Sequence, residues 1–494
     1  MTTTEKARPR YGNFSYPRSA GFFGLTFWPS IMLIVSVIVA LLTFLIAGPL
    51  PGLIVMVVCA AAIAPLALSW QGRTGYMWAV RKIQAAQMRR RGEHLYRSGP
   101  FSRLPGYTYR LPGGMASSQL YEGEDAWQYR FGMIRLPQTG ECTVVLSCSP
   151  SGDELLSPDQ IDHFVAAWGS WLANLGQHDD IGAATVTIET LPDTGQRLRS
   201  EQLRLISPGA PPLAAQIMRE SAEMGRGTWQ LAARLALTFK ATTGERRRSP
   251  EAQMLEIAGR LPEFYQTLEA CGVAANPMTG AQICGFVRRS YEPSAQEMIE
   301  DALTSGDTAT LRWDSVGPSM LKASSTLLEH DGAYSHVTAM EVAPEATLTE
   351  DILRRLLSAH PEIPRKRVAI VYRPMTIGKS SREVESDYRD ALNALRTSNR
   401  TKSADALLRE RKLAKVRDDE AMGHILVPFS MLITATTEDP EHVPRMRSVL
   451  DSLTASARIQ TRPCYDYQSA AFAAGLGIGF ILPNHVTIPT ALGG

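Results

Sequence analysis

The sequence predicts a membrane-anchored α/β (α+β) protein, in which a two-helix transmembrane hairpin precedes a two-part α/β cytoplasmic body. Three observations lead to this class. Residues 19–72 contain no charged side chain, strand and helix patterns alternate after residue 114, and charge is unevenly distributed. Residues 1–100 hold eleven basic and two acidic side chains, whereas residues 101–494 hold 40 basic and 47 acidic ones. This asymmetry indicates a basic anchor joined to a mildly acidic body.

The uncharged stretch predicts a transmembrane hairpin over residues 22–72. Two apolar runs, Phe22–Ala47 and Leu53–Trp70, flank Gly48-Pro49-Leu50-Pro51-Gly52, which would break any helix. Each run is close to the roughly 20 apolar residues that a bilayer span requires. Basic residues lie before and after the hairpin but not in its turn, so both termini are expected to be cytoplasmic. The expected location is therefore the inner (cytoplasmic) membrane, as a multi-pass protein with a basic tail at residues 1–21.

Residues 73–98 are expected to form a basic juxtamembrane helix. Apolar residues recur there at helical spacing beside a run of three arginines. Such clusters attract anionic lipid headgroups, so the lipid bilayer is the expected partner. DNA phosphate is the alternative, and the net negative charge of the body counts against direct nucleic-acid binding. The residues expected at the membrane surface are Arg81, Lys82, Arg89, Arg90 and Arg91.

The remaining chain predicts two α/β domains, at residues 99–295 and 296–494, because strands and helices alternate in both. The two parts have a similar pattern without an exact sequence repeat. In the first part we expect a hairpin over 127–147 around Pro137–Gly140, a helix from Ser157, strands at 184–190 and 235–239, and a helix at 251–270. In the second part we expect strands at 334–342, 367–372, 425–436 and 458–463, and helices at 348–358, 380–412, 441–455 and 467–474.

One segment invites comparison with a phosphate-binding loop. Residues 373–380 (RPMTIGKS) follow a predicted strand and precede a predicted helix. A P-loop requires GxxxxGK[ST], because its backbone N–H groups surround the phosphates. Here Arg373 takes the place of the first glycine, and Pro374 has no N–H. A turn before a helix is therefore the favoured interpretation; the alternative is a nucleotide-binding protein that uses Gly378, Lys379 and Ser380.

No other motif indicates an enzyme, a cofactor or a metal site. Gly475, Gly477 and Gly479 do not match GxGxxG, and their spacing predicts a close backbone approach at an interface. The six cysteines form no CxxC pair, and with nine scattered histidines they give no zinc spacing. Nothing combines a nucleophile, a base and an oxyanion donor. We therefore expect a protein without catalytic activity.

These features resemble two components of type IV (conjugative) secretion systems. Residues 19–24 (SAGFFG) with the two-span hairpin resemble the small two-span inner-membrane subunit. The body resembles the N-terminal, non-catalytic domain of the CagE/TrbE/VirB-type ATPase, without its motor. The residues that suggest the second resemblance are Thr228-Trp229, Asp331-Gly332, Ala343-Pro344, Arg373-Pro374, Ala470–Phe472 and Leu482-Pro483.

The resemblance implies a membrane protein of actinobacterial conjugative elements, in which a separate chain supplies the ATPase. The expected function is a structural subunit that docks this ATPase and contacts other membrane subunits, as an oligomer within a larger complex. The family's catalytic residues have no matching positions here. The alternative resemblance is to EccE, a type VII secretion subunit that also has two N-terminal spans and a cytosolic domain.

Overall fold

The computed structural model describes residues 12, 27–67, 69–70, 73–100, 102, 105–152, 156–224, 228–344, 348–397 and 404–485. These residues belong to two compact units. The sheet unit consists mainly of His94–Ile377 and Ile425–Asn484, and the helical unit mainly of Asn13–Glu93 and Gly378–His424. Apart from Gly12, the predicted tail at residues 1–21 lies outside the described residues, as does the SAGFFG segment.

The helices and strands have the following bounds. The helices are α1 Phe27–Ala47, α2 Pro49–Ala67, α3 Gly75–Arg91, α4 Pro158–Leu175, α5 Gln196–Leu205, α6 Pro212–Met224, α7 Gly244–Arg248, α8 Pro250–Thr267, α9 Gly280–Tyr291, α10 Gln296–Ser305, α11 Arg354–Leu357, α12 Ile377–Thr397, α13 Ala404–Ala421, α14 Val443–Ser456 and α15 Gln468–Gly475. The strands are β1 Ser69–Trp70, β2 Arg73–Thr74, β3 Leu95–Arg97, β4 Gln119–Glu124, β5 Arg130–Leu136, β6 Glu141–Pro150, β7 Ile181–Pro192, β8 Trp229–Phe239, β9 Val273–Pro277, β10 Met320–Ala323, β11 Leu328–His330, β12 Ala333–Val342, β13 Arg365–Tyr372, β14 Phe429–Thr437 and β15 Gln460–Pro463.

In the helical unit, α1 and α2 form a helical hairpin with a tighter turn than predicted. Gly48 alone separates the two helices, at a φ of 96°. Pro49 begins α2, where the missing N–H of proline leaves no hydrogen bond unmade. Gly52 packs against α1, because a Cβ there would lie 2.7 Å from the Phe44 Cα. The predicted five-residue turn at 48–52 is therefore wrong.

The predicted membrane anchor is also wrong. Over the part of the chain that the structure describes, no helix is long and apolar enough to cross a membrane. A span needs about 20 consecutive apolar residues. The 19 residues of α2 include Pro49, Pro51 and Gly52, so its uninterrupted apolar run begins only at Leu53. The transmembrane hairpin predicted at 22–72 is therefore wrong. The multi-pass inner-membrane location and the cytoplasmic assignment of the body and both termini depended on it and are wrong as well.

The basic helix is shorter than the predicted range of residues 73–98. It ends at Arg91, because Gly92 takes a φ of 73°, a left-handed conformation typical of a helix end. Residues Leu95–Arg97 then form β3, which pairs antiparallel with β10 in the sheet unit.

Within the described residues, thirteen strands form one sheet in the order β3-β10-β11-β12-β14-β13-β7-β8-β6-β5-β4, with β15 on β12 and β9 on β6. Its strand pairs are antiparallel. The fold class is therefore α/β with a single large antiparallel sheet, and both predicted parts contribute strands to it.

Two halves of this sheet repeat one topology. The first half contains β4–β9 with α4, α8 and α9, and the second contains β10–β15 with α11, α14 and α15. In the first half β6 pairs with β8 and β9, and β7 pairs with β8. In the second half β12 pairs in the same way with β14 and β15, and β13 pairs with β14. The domain boundary predicted at residues 295/296 falls between these halves, inside the sheet unit.

The halves join at a seam where β7 pairs antiparallel with β13. Residues 184–190 pair with residues 366–372, and Thr187 lies opposite Ala369 at the centre. Because β7 and β13 are equivalent strands of the repeat and pair antiparallel, the centre of their pairing makes Thr187 correspond to Ala369. Glu189 then corresponds to Val371, and Arg367 corresponds to Thr185.

Three apolar cores stabilise the sheet. On one face, α4 and α8 cover the first half around residues such as Trp171, Leu237 and Phe264, and α14 covers the second half around Ile433 and Met446. On the opposite face one core extends across both halves, and α9, α15 and residues 476–480 contribute to it. Burial of this apolar area is the main force that holds the two halves together.

The three glycines near the C-terminus lie where the chain crosses the sheet. Gly475, Gly477 and Gly479 lie over threonines of three strands. A Cβ at these glycines would lie 3.4, 2.5 and 1.9 Å from the Oγ1 atoms of Thr434, Thr187 and Thr143, respectively. The structure thus contains the close backbone approach that their spacing predicts.

Most of the strands and helices predicted after residue 99 are present, with two differences among the helices, one in the sheet unit and one in the helical unit. The helix predicted at 348–358 shrinks to Arg354–Leu357. The chain passes into an extended conformation at Ser358 and reaches Pro361, which disfavours helix in the residue before it. The long helix predicted at 380–412 consists of α12 and α13, and residues 398–403 between them lie outside the described residues.

Candidate functional site

The GKS segment does not have the geometry of a phosphate-binding loop. Gly378, Lys379 and Ser380 lie in the first turn of α12, with the Lys379 side chain exposed and Ser380 buried. The N–H of Arg373 donates to the Pro428 carbonyl at 2.8 Å, and the N–H of Met375 donates to the Leu426 carbonyl at 3.1 Å. These amides are therefore engaged with the chain before β14 and do not surround a phosphate.

The basic residues of α3 are largely solvent-exposed. Lys82, Arg89, Arg90 and Arg91 are exposed and Arg81 is half-buried. The Lys82 Nζ lies 4.7 Å from the centre of the Trp78 ring. Arg91 approaches Glu93 at 3.7 Å, an exposed pair of the kind that contributes little to stability. Contact of these residues with anionic lipid headgroups stays a prediction, although the transmembrane hairpin that would place them at the inner leaflet is wrong.

A cluster of buried charges lies at the seam between the two halves of the sheet. Glu189 on β7 accepts hydrogen bonds from Arg234 and Arg289 and forms an ion pair with Arg367, and we call these four residues the seam cluster. Arg234 on β8 lies 3.0 Å from its Oε2, Arg289 on α9 lies 3.3 Å from the same atom, and Arg367 on β13 lies 3.5 Å from Oε1. The side chains are 4–13% exposed. One carboxylate therefore faces three guanidinium groups away from bulk water.

The seam cluster carries an excess of positive charge and of hydrogen-bond donors. Arg365 and Lys366 line the same recess as Glu189, Arg289 and Arg367. Arg367 also donates to the Ser290 Oγ at 2.7 Å. The buried Nε atoms of the three clustered arginines have no hydrogen-bond partner among the described residues. A buried donor without an acceptor is costly, so this arrangement favours an anion.

Electrostatics keep the seam cluster ionised at neutral pH. Burial alone would raise the pKa of Glu189, but the three guanidinium groups outweigh it and hold that pKa well below its usual range. Burial lowers the pKa of Arg367 to about 10 and that of Lys366 to about 8. Within the seam cluster, the Glu189 carboxylate and the Arg367 guanidinium therefore do not exchange protons near pH 7, which suits them to holding an anion and not to acid–base catalysis.

Sequence reasoning missed the seam cluster, although a signal was present. Glu189, Arg234 and Arg367 each lie within or beside a segment that the apolar pattern marks as a strand. A charged residue in a strand that is buried on both faces requires a partner. Their partnership depends on the strand order, which places β13 next to β7 and cannot be read from local spacing.

His330 and His336 are buried and hydrogen-bonded within the sheet unit, and burial keeps three of its thiols protonated. His330 Nδ1 bonds the Tyr291 carbonyl and its Nε2 bonds the Ser335 Oγ, while His336 Nδ1 bonds the Thr326 carbonyl. Burial lowers the pKa of both histidines to about 4. Burial also raises the pKa of the thiols of Cys142, Cys148 and Cys284 to about 12, so they are protonated at pH 7. In the described residues, no group of three or more His, Cys, Asp or Glu could hold a metal ion.

An exposed apolar surface lies on α5, α6 and the start of β8, and we call it the α5–α6 surface. Leu205 is 70% exposed, Leu213 68% and Ile217 57%. Leu198 and Leu205 are seven residues apart on α5, and Leu213 and Ile217 are four apart on α6, so each pair lies on one side of its helix. The residues of this surface are Leu198, Leu203, Leu205, Leu213, Ile217, Trp229 and Leu231.

The comparisons with known proteins assign no activity to these sites. Residues 18–77 match the model of a domain of unknown function, DUF8461. This range lies within the N-terminal part of the chain and includes α1 and α2, so the chain is similar to that family only there. No curated protein matches the chain.

Proposed function

We propose that the chain is a non-enzymatic structural subunit of a conjugative, type IV-like secretion machine, and that it docks a separate ATPase through the α5–α6 surface. The observation that carries the proposal is the set of exposed aliphatic and aromatic side chains on α5, α6 and β8. The resemblance of the body to the motorless N-terminal domain of a secretion ATPase supplies the identity of the partner.

The α5–α6 surface has the composition of a protein interface. Contiguous exposed apolar groups are unfavourable in water, and on folded proteins they commonly mark contacts with a partner. Arg199 and Arg204 lie on α5 among its leucines, and Glu201 pairs with Arg204 at 3.0 Å, which leaves Arg199 in excess. Arginine is enriched in interfaces, and an excess of it favours a partner with an acidic rim around an apolar centre.

The buried ionisable groups support a structural role for the body. At pH 7 the two buried histidines are neutral and bonded to backbone carbonyls, three buried thiols are protonated, and Glu189 is ionised among arginines. None of these groups is poised to exchange a proton at neutral pH, which general acid–base catalysis requires. The mechanism that we propose is mechanical: a continuous sheet transmits movements of the docked ATPase to other subunits.

Co-purification of the tagged full-length protein from its native cells, with identification by mass spectrometry, tests the proposal. We expect a conjugation-type ATPase with the wild type and at least a tenfold loss of it with the double variant Leu205→Glu, Ile217→Glu. Leu255→Glu on α8 is the matched control, because Leu255 is 77% exposed and lies outside the α5–α6 surface. It should retain the ATPase.

Three other outcomes would contradict the proposed function, the type of secretion system or the docking surface. Absence of any such ATPase from the wild-type complex would overturn the proposed function. Recovery of type VII secretion subunits would favour the EccE-like alternative. Retention of the ATPase by the double variant, with unchanged circular dichroism, would show that docking uses another surface.

A further inference from the structure

We infer that a cavity beside the seam cluster binds a small organic anion, with its acidic group at Arg234 and Arg289 and its apolar part against α9 and α10. This inference does not depend on the proposed docking of an ATPase. It rests on three features of the sheet unit: an open cavity, two largely buried arginines in its lining, and apolar side chains of two helices beside them.

The cavity lies between two strands and two helices. β6 and β8 form one side and α9 and α10 form the other, and its volume is about 240 Å³. A cavity of about 150 Å³ holds a benzene molecule. The space is therefore sufficient for a single ring or a short aliphatic chain that carries one acidic group.

The polar end of the cavity is formed by two arginines of the seam cluster. Arg234 and Arg289 line it, and the Nε atom of each is buried without a hydrogen-bond partner. Arg234 is 4% exposed, so water satisfies this donor poorly. Glu189 neutralises only one of the three clustered arginines. An incoming carboxylate or phosphate would supply the missing negative charge.

The apolar part of the lining lies mainly on α9 and α10 and limits the class of ligand, whereas Ser147, Ser149 and Gln230 add polar groups on the strand side. The Phe286 ring lies 4.3 Å from the Arg234 guanidinium carbon, so it adjoins the cationic end. Ile299 and Leu303 of α10 line the cavity as well. Glu300 is the acidic residue of α10 in the lining, and it accepts from Gln296 and Thr194. Its charge favours a ligand whose acidic group is confined to one end.

The repeat shows that the strand pairing does not require these charges. Thr187 pairs with Arg234 in the first half, and its counterpart Ala369 pairs with Leu432 in the second. Leu432 is buried in the shared apolar core. The same backbone position thus accepts a leucine, and the arginine needs an explanation beyond the fold. Binding of an anion provides one.

Isothermal titration calorimetry on the full-length protein tests the inference, with phenyl phosphate, benzoate and neutral benzyl alcohol as probes. Two variants of one side chain change the charge at the cavity without disturbing the core, because Leu303 is 36% exposed. We expect at least one of the two anions to bind, and benzyl alcohol not to bind. Leu303→Glu should weaken anion binding roughly fivefold or more, and Leu303→Lys should strengthen it by a similar factor. Glu300→Gln should also strengthen it.

Three results would overturn the inference. One is the absence of heat from both anions at millimolar concentration. Another is equal binding of benzyl alcohol, which would show that the arginines do not select the ligand. The third is equal affinity of Leu303→Glu and Leu303→Lys, which would place the anion elsewhere, for example on the exposed arginines of α3. Circular dichroism of each variant confirms that it is folded.

Discussion

The two halves of the sheet share one strand order but carry different side chains at equivalent positions. The first half has Glu189 and Arg234 where the second has Val371 and Leu432. The second half has His330 and His336 where the register places Leu136 and Val144 in the first. The repeated topology therefore accepts either an aliphatic or a polar residue at these positions. Formation of the sheet therefore does not by itself explain the charged side chains of the first half or the histidines of the second.

The strongest test of this comparison is removal of the single carboxylate of the seam cluster. Glu189→Gln leaves three buried guanidinium groups without a counter-charge, and breaking a buried ion pair in this way costs about 3–5 kcal/mol. Urea denaturation followed by circular dichroism measures the loss. Val371→Ala at the equivalent position of the second half is the control and should cost about 1–2 kcal/mol. An equal loss at both positions would mean that the charges are not what distinguishes the halves.

The second half should be the more sensitive to acid. Burial depresses the pKa of His330 and His336 to about 4 from an ordinary value of 6.5. The neutral form is favoured in the folded state, so stability is full above pH 6.5 and falls as pH decreases through 6.5 towards 4. The expected loss by pH 4 is about 2–3 kcal/mol for each histidine. The pKa of Glu189 lies well below this window, so the seam cluster should not contribute.

The control for acid sensitivity replaces each buried histidine of the second half by the residue at the equivalent position of the first half. His330→Leu and His336→Val copy Leu136 and Val144, and the double variant should lose most of the change between pH 7.5 and pH 4.5. Urea denaturation at the two pH values measures it. An undiminished pH dependence in the double variant would assign the effect to other groups.

Alanine substitution of the glycines that cross the sheet should cost more stability over the first half than over the second. In Gly479→Ala the new Cβ would lie 1.9 Å from the Thr143 Oγ1 of the first half, at a φ of 85°. We expect a loss of about 2 kcal/mol in thermal or urea unfolding. In Gly475→Ala the new Cβ would lie 3.4 Å from the Thr434 Oγ1 of the second half, without a positive φ, and the loss should be below about 1 kcal/mol. Equal losses would contradict the close approach at Gly479.

Local patterns predicted much of the secondary structure of the sheet unit. The alternation around residues 184–190 and 367–372 predicts β7 and β13, and Ser157 begins α4 with the capping box that its sequence favours. The arrangement of these elements was not predictable in this way. Pairing of β7 with β13 joins residues far apart in sequence, and it alone brings Glu189 to Arg367. In the helical unit the apolar content predicted a membrane hairpin, whereas none of the described helices is long and apolar enough to cross a membrane.

The smallest expected effect comes from exchanging residues of the seam cluster for their counterparts in the repeat. The triple variant Glu189→Val, Arg234→Leu, Arg367→Thr replaces three of its four charges by the residues at the equivalent positions, which are Val371, Leu432 and Thr185. Apolar residues of suitable shape replace buried ion pairs at little or no cost in stability. The remaining arginine, Arg289, is 13% exposed beside the open cavity, so its guanidinium can reach water. The unfolding free energy should therefore stay within about 1 kcal/mol of the wild type.

The same triple variant should lose binding of phenyl phosphate or benzoate, because Arg234 no longer lines the cavity. Stability near that of the wild type combined with lost anion binding would separate the two roles of the seam cluster: the sheet does not need these charges, and the ligand does. A variant as unstable as Glu189→Gln would show instead that the first half depends on its charges to fold. The two halves would then share a backbone topology but would need different side chains to pack their cores.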